Sequence, residues 1–350
     1  MNGQTFANVR LNRGKVQLGI LILSCFLGLI LLAQSSTDSQ IGEQPQHGNL
    51  TTSSIGVTAS NLNPLQIALK HWYDANLTTT FNVSNAPVGL AFDGANVWVT
   101  KAFGSAVTKL RASDGAMLGT FPVGTNPHGV VFDGANIWVA NLRSNDVTKL
   151  RASDGTLLGT FHAGGAPAEL VFDGANIWVT NTTSNNVTKL RARDGATVGV
   201  FPANSAPNGI VFDGVNIWVS NSDTNTLTKL RASDGSIVGV FRVGQSPLGL
   251  AFDGANIWSA NSGSNTVTKL RASDGSVLGT FPGGVAPFGL AFDGANIWAV
   301  NFGSNTATKF RASDGAILGT FSVGNNPHQV AFDGANIWVT NTFSDTVAKL

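Results

Sequence analysis

The sequence predicts an all-β protein: a seven-bladed β-propeller of four-stranded antiparallel blades, its ring closed by an N-terminal strand. Three observations carry this expectation. From Phe81 onward the chain repeats every 40 residues, with Phe121, Phe161, Phe201, Phe241, Phe281 and Phe321 at equivalent points. Each unit holds four short stretches rich in Val, Ile, Thr, Phe and Trp, separated by turn signals such as Asp-Gly. The strands also add up to a whole number of blades.

Composition agrees with this reading. Of 350 residues 41 are Gly, 12% are charged, and only Glu43 and Glu169 are glutamates. Stretches of Ala, Leu, Glu and Lys that build helices are almost absent. The formal net charge is +1, because each unit carries one Lys, one Arg and two Asp and is neutral. With no basic stripe to neutralise a phosphate backbone, nucleic acid is not an expected partner. The single cysteine, Cys25, cannot form an internal disulfide, so stability must come from burial and strand pairing.

Along the chain, residues 1–33 come first. Arg10, Arg13 and Lys15 precede a run from Leu18 to Ala33 without a charged residue. That order is the pattern of a secretory signal peptide or an N-terminal membrane anchor, and it predicts a secreted, periplasmic or membrane-tethered protein. Membrane contact is expected only through this segment. Residues 34–62 are mostly Ser, Thr, Gln, Asn and Gly with few apolar anchors, and read as a disordered linker. Within 63–76, Asn63-Pro64 suits the start of a short helix, with Asn as the cap and Pro at the first helical position.

Residues 77–350 form the propeller. In the second unit strand a is expected at about Gly129 to Phe132, strand b at Ile137 to Ala140, strand c at Val147 to Leu150, and strand d at Leu157 to Ala163. Asp133-Gly134 and Asp154-Gly155 tolerate positive φ and suit the tight turns from a to b and from c to d. The last unit ends at Leu350, after strand c. Leu77 to Val83 carries the strand d pattern and is expected to complete that blade beside Val347 to Leu350, which removes an exposed edge. Seven equivalent tryptophans, Trp98, Trp138, Trp178, Trp218, Trp258, Trp298 and Trp338, read as packing between blades. The repeated Lys of Thr-Lys-Leu and the Asp-Gly aspartates read as structural pairs and turn formers.

The unit Phe-Asp-Gly-Ala-Asn-Ile-Trp-Val-Thr-Asn resembles the YVTN-type repeats of bacterial and archaeal surface or periplasmic propellers. Trp178-Val179-Thr180-Asn181 and Trp338-Val339-Thr340-Asn341 carry the match, with Trp where the family has Tyr. Such propellers serve mostly as binding or scaffold domains, which is what the resemblance implies here. The chain is more distantly similar to the virginiamycin B lyase (streptogramin lyase) propellers. That group uses His and Glu residues with a magnesium ion near the central cavity. The comparable set here is small: His128, Glu169, His328 and Gln329.

Where the copies differ, function has room to reside. The a–b and c–d loops hardly vary, whereas the d–a and b–c loops do, and strand alternation sends those two sets to one face. The residue after each loop proline runs Val88, His128, Ala168, Asn208, Leu248, Phe288 and His328, beside the expected central channel. The b–c loops add Lys101, Arg143, Asp223, Phe302, Phe343 and Asp345. The binding residues expected are therefore His128, Asn208, Leu248, Phe288, His328, Gln329, Arg143, Phe302 and Phe343. The leading expectation is a monomeric, non-enzymatic binding or scaffold module, without a cofactor, for a protein or small-molecule ligand. The alternative is a lyase or hydrolase using His128, Glu169 and His328 with magnesium or another divalent metal. No G-x-S-x-G, H-E-x-x-H, P-loop or paired-Cys motif occurs.

Overall fold

A computed structural model describes residues 79–350. The expected export segment (1–33), linker (34–62) and helix with lead-in (63–76) lie outside the described residues. Those described form twenty-eight strands in seven four-stranded antiparallel sheets, with no helix among them. None of them therefore makes a helix long and apolar enough to cross a membrane.

Blade 1 shows the plan. Strands β2 (Pro87–Phe92), β3 (Asn96–Lys101), β4 (Ala106–Arg111) and β5 (Met117–Pro122) pair in that order from the centre outward. Strands β6 to β25 repeat it five times, between Pro127 and Ser322. Blade 7 is β26 (Pro327–Phe332), β27 (Ile337–Asn341) and β28 (Thr346–Lys349), with β1 (Thr79–Asn82) as its outer strand. The register runs Thr79↔Lys349 to Asn82↔Thr346, so the N-terminal strand does complete the last blade. Closure reuses the contacts found elsewhere in the ring: Thr340 Oγ1 donates to Val88 O at 2.7 Å and Lys349 Nζ to Ala112 O at 2.9 Å.

The adhesive between blades is one side-chain assembly repeated. Trp98 lies fully buried among Ala91, Val107, Val130, Ile137 and Leu150, so it fills the gap between blades 1 and 2. Its Nε1–H donates to Asp93 Oδ2 at 2.8 Å, and Asp93 also accepts from the Ala95 and Asn96 amides. Burial by itself would raise the Asp93 pKa, but these hydrogen bonds outweigh it and hold the carboxyl below its ordinary value. Lys109 lies over the same indole, 5.1 Å from the ring centre, and donates to Ala152 O of the next blade at 2.7 Å. A buried ammonium and a buried indole N–H are thus both satisfied, as the low-dielectric interior demands.

The inner strands begin at the loop proline, two residues before the glycine expected to open them. Pro127 pairs with Asn141, and the register then shifts before Val130 meets Val139. Proline is tolerated at a first strand position, where no ladder N–H is required of it. The bulge leaves His128 and Gly129 out of the ladder, and the same irregularity recurs in all seven blades. Bulges re-aim side chains. Here they do so at the end of the channel that carries the individual loops.

Those loops are pinned to each other. Asn145, Asn185, Asn225, Asn265 and Asn305 adopt φ of 54–58° in the b–c loops. Each accepts through Oδ1 from the residue before the next loop proline, for example from the Ala166 amide at 2.9 Å. Asp345 does the same for Ala86 at 2.8 Å. Alanines Ala166, Ala206 and Ala286 are held at φ of 52–53°, a left-handed conformation that only such surroundings sustain.

Candidate functional site

Inside the ring the inner strands build a channel in three tiers. At its mouth stand the residues that follow the loop prolines, among them His128, Asn208, Leu248, Phe288 and His328. One step inward five blades carry glycine, and two do not. A Cβ at Gly89, Gly209 or Gly249 would run into a carbonyl oxygen of the following blade, so inner strands meet there almost backbone to backbone. At the equivalent places stand Glu169 and Gln329. A third tier, one residue from each blade, is aliphatic throughout: Leu90, Val130, Leu170, Ile210, Leu250, Leu290 and Val330. Together these tiers enclose a cavity of about 160 Å³, in whose lining Glu169 is the only ionisable side chain.

The structure gathers most of the expected residues. His128 Nδ1 lies 3.5 Å from Glu169 Oε1, with both side chains about 85% buried (15% and 14% exposed). Gln329 Nε2 donates to that same oxygen at 3.5 Å, linking blades 7 and 3. The His128 and His328 rings meet edge to face with centres 4.9 Å apart, although blade 1 separates their blades. His328 packs on Phe288 at 3.9 Å, Phe288 on Phe302 at 6.2 Å, and Phe302 on Phe343 at 6.4 Å. A polar sector thus continues into an aromatic wall.

Two of the expected residues are placed differently. Arg143 is exposed on its loop, fixed through its backbone amide to Thr125 O at 3.1 Å, and stands apart from this cluster. Phe343 is 61% exposed and reaches the mouth only through Phe302. His328, by contrast, is a buried residue rather than one at a solvated rim. Burial, and then the neighbouring His128, push its pKa well below the ordinary value of 6.5, so it is neutral at physiological pH. The Nδ1 atoms of His128 and His328 are both buried without a hydrogen-bond partner.

Two features of the site are not among the expected residues. The aliphatic tier reads in sequence as ordinary core. A hydroxyl relay is the second: Thr100 accepts from the Gly89 amide at 2.7 Å and donates to His128 O at 2.7 Å. Thr180, Ser220 and Thr340 repeat it in blades 3, 4 and 7. Ala140, Ala260 and Val300 replace the hydroxyl in the other three, so the carbonyls of Ala168, Phe288 and His328 lack that donor. Lys101, already individual in the sequence, stands where six blades have Asn. It is buried, and burial lowers its pKa.

The donor set does not suit magnesium. That ion demands near-octahedral oxygen ligands, and Glu169 is the one carboxylate in the lining. Among the described residues no group of three or more His, Cys, Asp or Glu is arranged to hold a metal. Asp345 and Asp223 are engaged in loop contacts, with the Ala86 amide and the Ser205 hydroxyl.

Comparison with known proteins places the fold. No family model matches the chain, and no curated protein matches it either. Among solved structures it is similar to a streptogramin B lyase, with a TM-score of 0.68 at 19% identity, covering 78% of this chain and 96% of that one. The virginiamycin B lyase of Staphylococcus aureus gives 0.68 at 19% identity, covering 78% and 98%. Hydrazine synthase of Kuenenia stuttgartiensis gives 0.66 at 18%, covering 76% and 95%. Proteins of such different activity share this architecture, so the likeness is one of fold.

Proposed function

We propose that this protein is a monomeric binding module acting outside the cytoplasm, which captures a ligand at the mouth of its central channel. One observation carries the reading. Residues in which the seven blades differ converge on a cavity lined by Phe288 and one carboxylate, Glu169, and beside these two stand two imidazoles whose buried Nδ1 atoms have no hydrogen-bond partner. Unpartnered buried polar atoms are costly for stability alone, and a bound molecule gives them a role. The basic and apolar N-terminal stretch supports the extracytoplasmic part of the reading.

A thermal-shift screen of small polar and aromatic compounds tests it. A ligand at 100 times its Kd adds about 2.7 kcal/mol, hence a Tm gain of roughly 5 °C for a domain of this size. Hits should lose that gain in a Phe288→Ala, His328→Leu double variant that keeps its fold. Hits that survive the double variant place binding elsewhere.

The alternative is a lyase or hydrolase, favoured by the contact between His128 and Glu169, the arrangement of a base with an orienting carboxylate. It requires turnover that disappears in both His128→Ala and Glu169→Ala.

A further inference from the structure

We infer that the channel mouth is a receptor for a primary ammonium group carried on a single-ring aromatic body. This deepens the binding proposal above and rests on it.

Beside the amide groups of Asn208 and Gln329, the collar offers acceptors. Glu169 offers a carboxylate, and two of the groups around its Oε1 are not closed into strong bonds: the contacts to His128 Nδ1 and to Gln329 Nε2 are both 3.5 Å long. The buried Nδ1 atoms of His128 and His328 have no partner. A neutral imidazole has one acceptor nitrogen, and the two rings touch each other beside the carboxylate. The Glu169 carboxylate and an imidazole acceptor from the His128–His328 pair beside it complement the N–H donors of an ammonium. A carboxylate or phosphate would meet Glu169 with like charge and find few donors.

Charge and size narrow the class further. Glu169 is the only ionisable side chain in the cavity lining, so the collar presents a negative charge to what enters. Beneath it lie only aliphatic side chains, and beside it the Phe288 ring. A cavity of about 150 Å³ accommodates one benzene ring, which matches the roughly 160 Å³ here. Aromatic faces also favour a cation alongside them. A bare metal ion is disfavoured, since these side chains do not form a metal-holding group.

Calorimetry on the full chain tests this with three isosteres: 2-phenylethylamine, 2-phenylethanol and 3-phenylpropionate. The amine should bind at least about tenfold tighter than the alcohol, with no detectable binding of the carboxylate. Glu169→Gln should weaken the amine by about 30-fold while leaving the alcohol within a factor of three. Glu169→Gly, the residue of five other blades, should do the same and guards against misfolding of a single variant. Phenylalanyl-glycyl-glycine amide, free or N-acetylated, separates a small amine from a peptide N-terminus as carrier. Binding of the free form alone supports the ammonium, and equal binding of both forms overturns it. The inference also falls if the carboxylate isostere binds as well as the amine, if amine preference survives both Glu169 variants, or if EDTA abolishes binding. Should none of these probes bind while screening hits still depend on Phe288, the ammonium inference fails and the binding site stands. If no ligand of any kind depends on the mouth, both fail.

Discussion

On one face of the disc, Asp93 and its six counterparts hold the same tryptophan and the same turn amides in every blade. On the other, the seven residues after the loop prolines are two histidines, a phenylalanine, an asparagine, a valine, an alanine and a leucine. The two faces use the same strands. They differ because the first is bound by hydrogen-bond requirements that recur with each blade, whereas the bulge on the second releases two residues per blade from the ladder. Repetition therefore marks what the ring needs to close, and departure marks where the ring has freedom to specialise.

The largest test of that contrast removes one unit of the adhesive. Trp178→Ala should destabilise the domain by about 3–5 kcal/mol, lowering Tm by roughly 5–10 °C. The individual face should respond far less: Phe288→Ala is expected to keep Tm within a few degrees while erasing ligand-induced shifts. Equal losses of Tm in the two variants would collapse the distinction.

The hydroxyl relay sharpens the comparison within the mouth itself. Thr340→Val strips a donor from Val88 O and an acceptor from the Gln329 amide, and should cost about 1–3 kcal/mol in a denaturant melt. Val300→Thr supplies the relay to a blade that lacks it, and should be neutral or stabilise by up to about 1 kcal/mol. A loss there comparable to that of Thr340→Val would show that the absent hydroxyls are not interchangeable with the present ones.

Protonation separates the faces by pH. His328 has its folded pKa lowered below the unfolded 6.5, so the unfolded chain takes up the proton first. Its contribution is whole above 6.5 and declines as pH falls below that. Tm should drop between pH 7.5 and 5.5, and His328→Leu should flatten the drop. The turn aspartates, also lowered from 3.8, retain their contribution until more acid conditions and lose it as pH falls through their folded values. A second decline below about pH 4 should therefore persist in the same variant. The smallest effect is expected on the constant rim: Arg271→Ala breaks an exposed ion pair with Asp274 and should leave Tm unchanged within error.

Much of the fold was legible because the chain states it seven times. A single blade is ambiguous, but Phe81, the seven tryptophans and the pairing of the N-terminal strand with the last one fix count and closure together. Half of the site was legible for the opposite reason. Glu169 and Gln329 stand out where five other blades have glycine, and His128, Phe288 and His328 stand out beside them. What was hidden depends on three-dimensional neighbours. The burial of His328 comes from Phe288 in the adjacent blade and from His128 two blades away. The aliphatic floor repeats faithfully, so it looks like packing, and its place in the lining of a cavity emerges only once the strands form a ring. Arg143 misled in the reverse sense, being conspicuous in its unit yet exposed on its loop.

The most direct measurement is to level the ring. Glu169→Gly with Gln329→Gly gives the second tier the same residue in all seven blades. The doubly substituted protein should keep its strand content by circular dichroism and its Tm to within a few degrees, while amine ligands that shift the wild type lose most of that shift. Unfolding of this variant, or ligand shifts that persist undiminished, would contradict the assignment of function to the places where the blades differ.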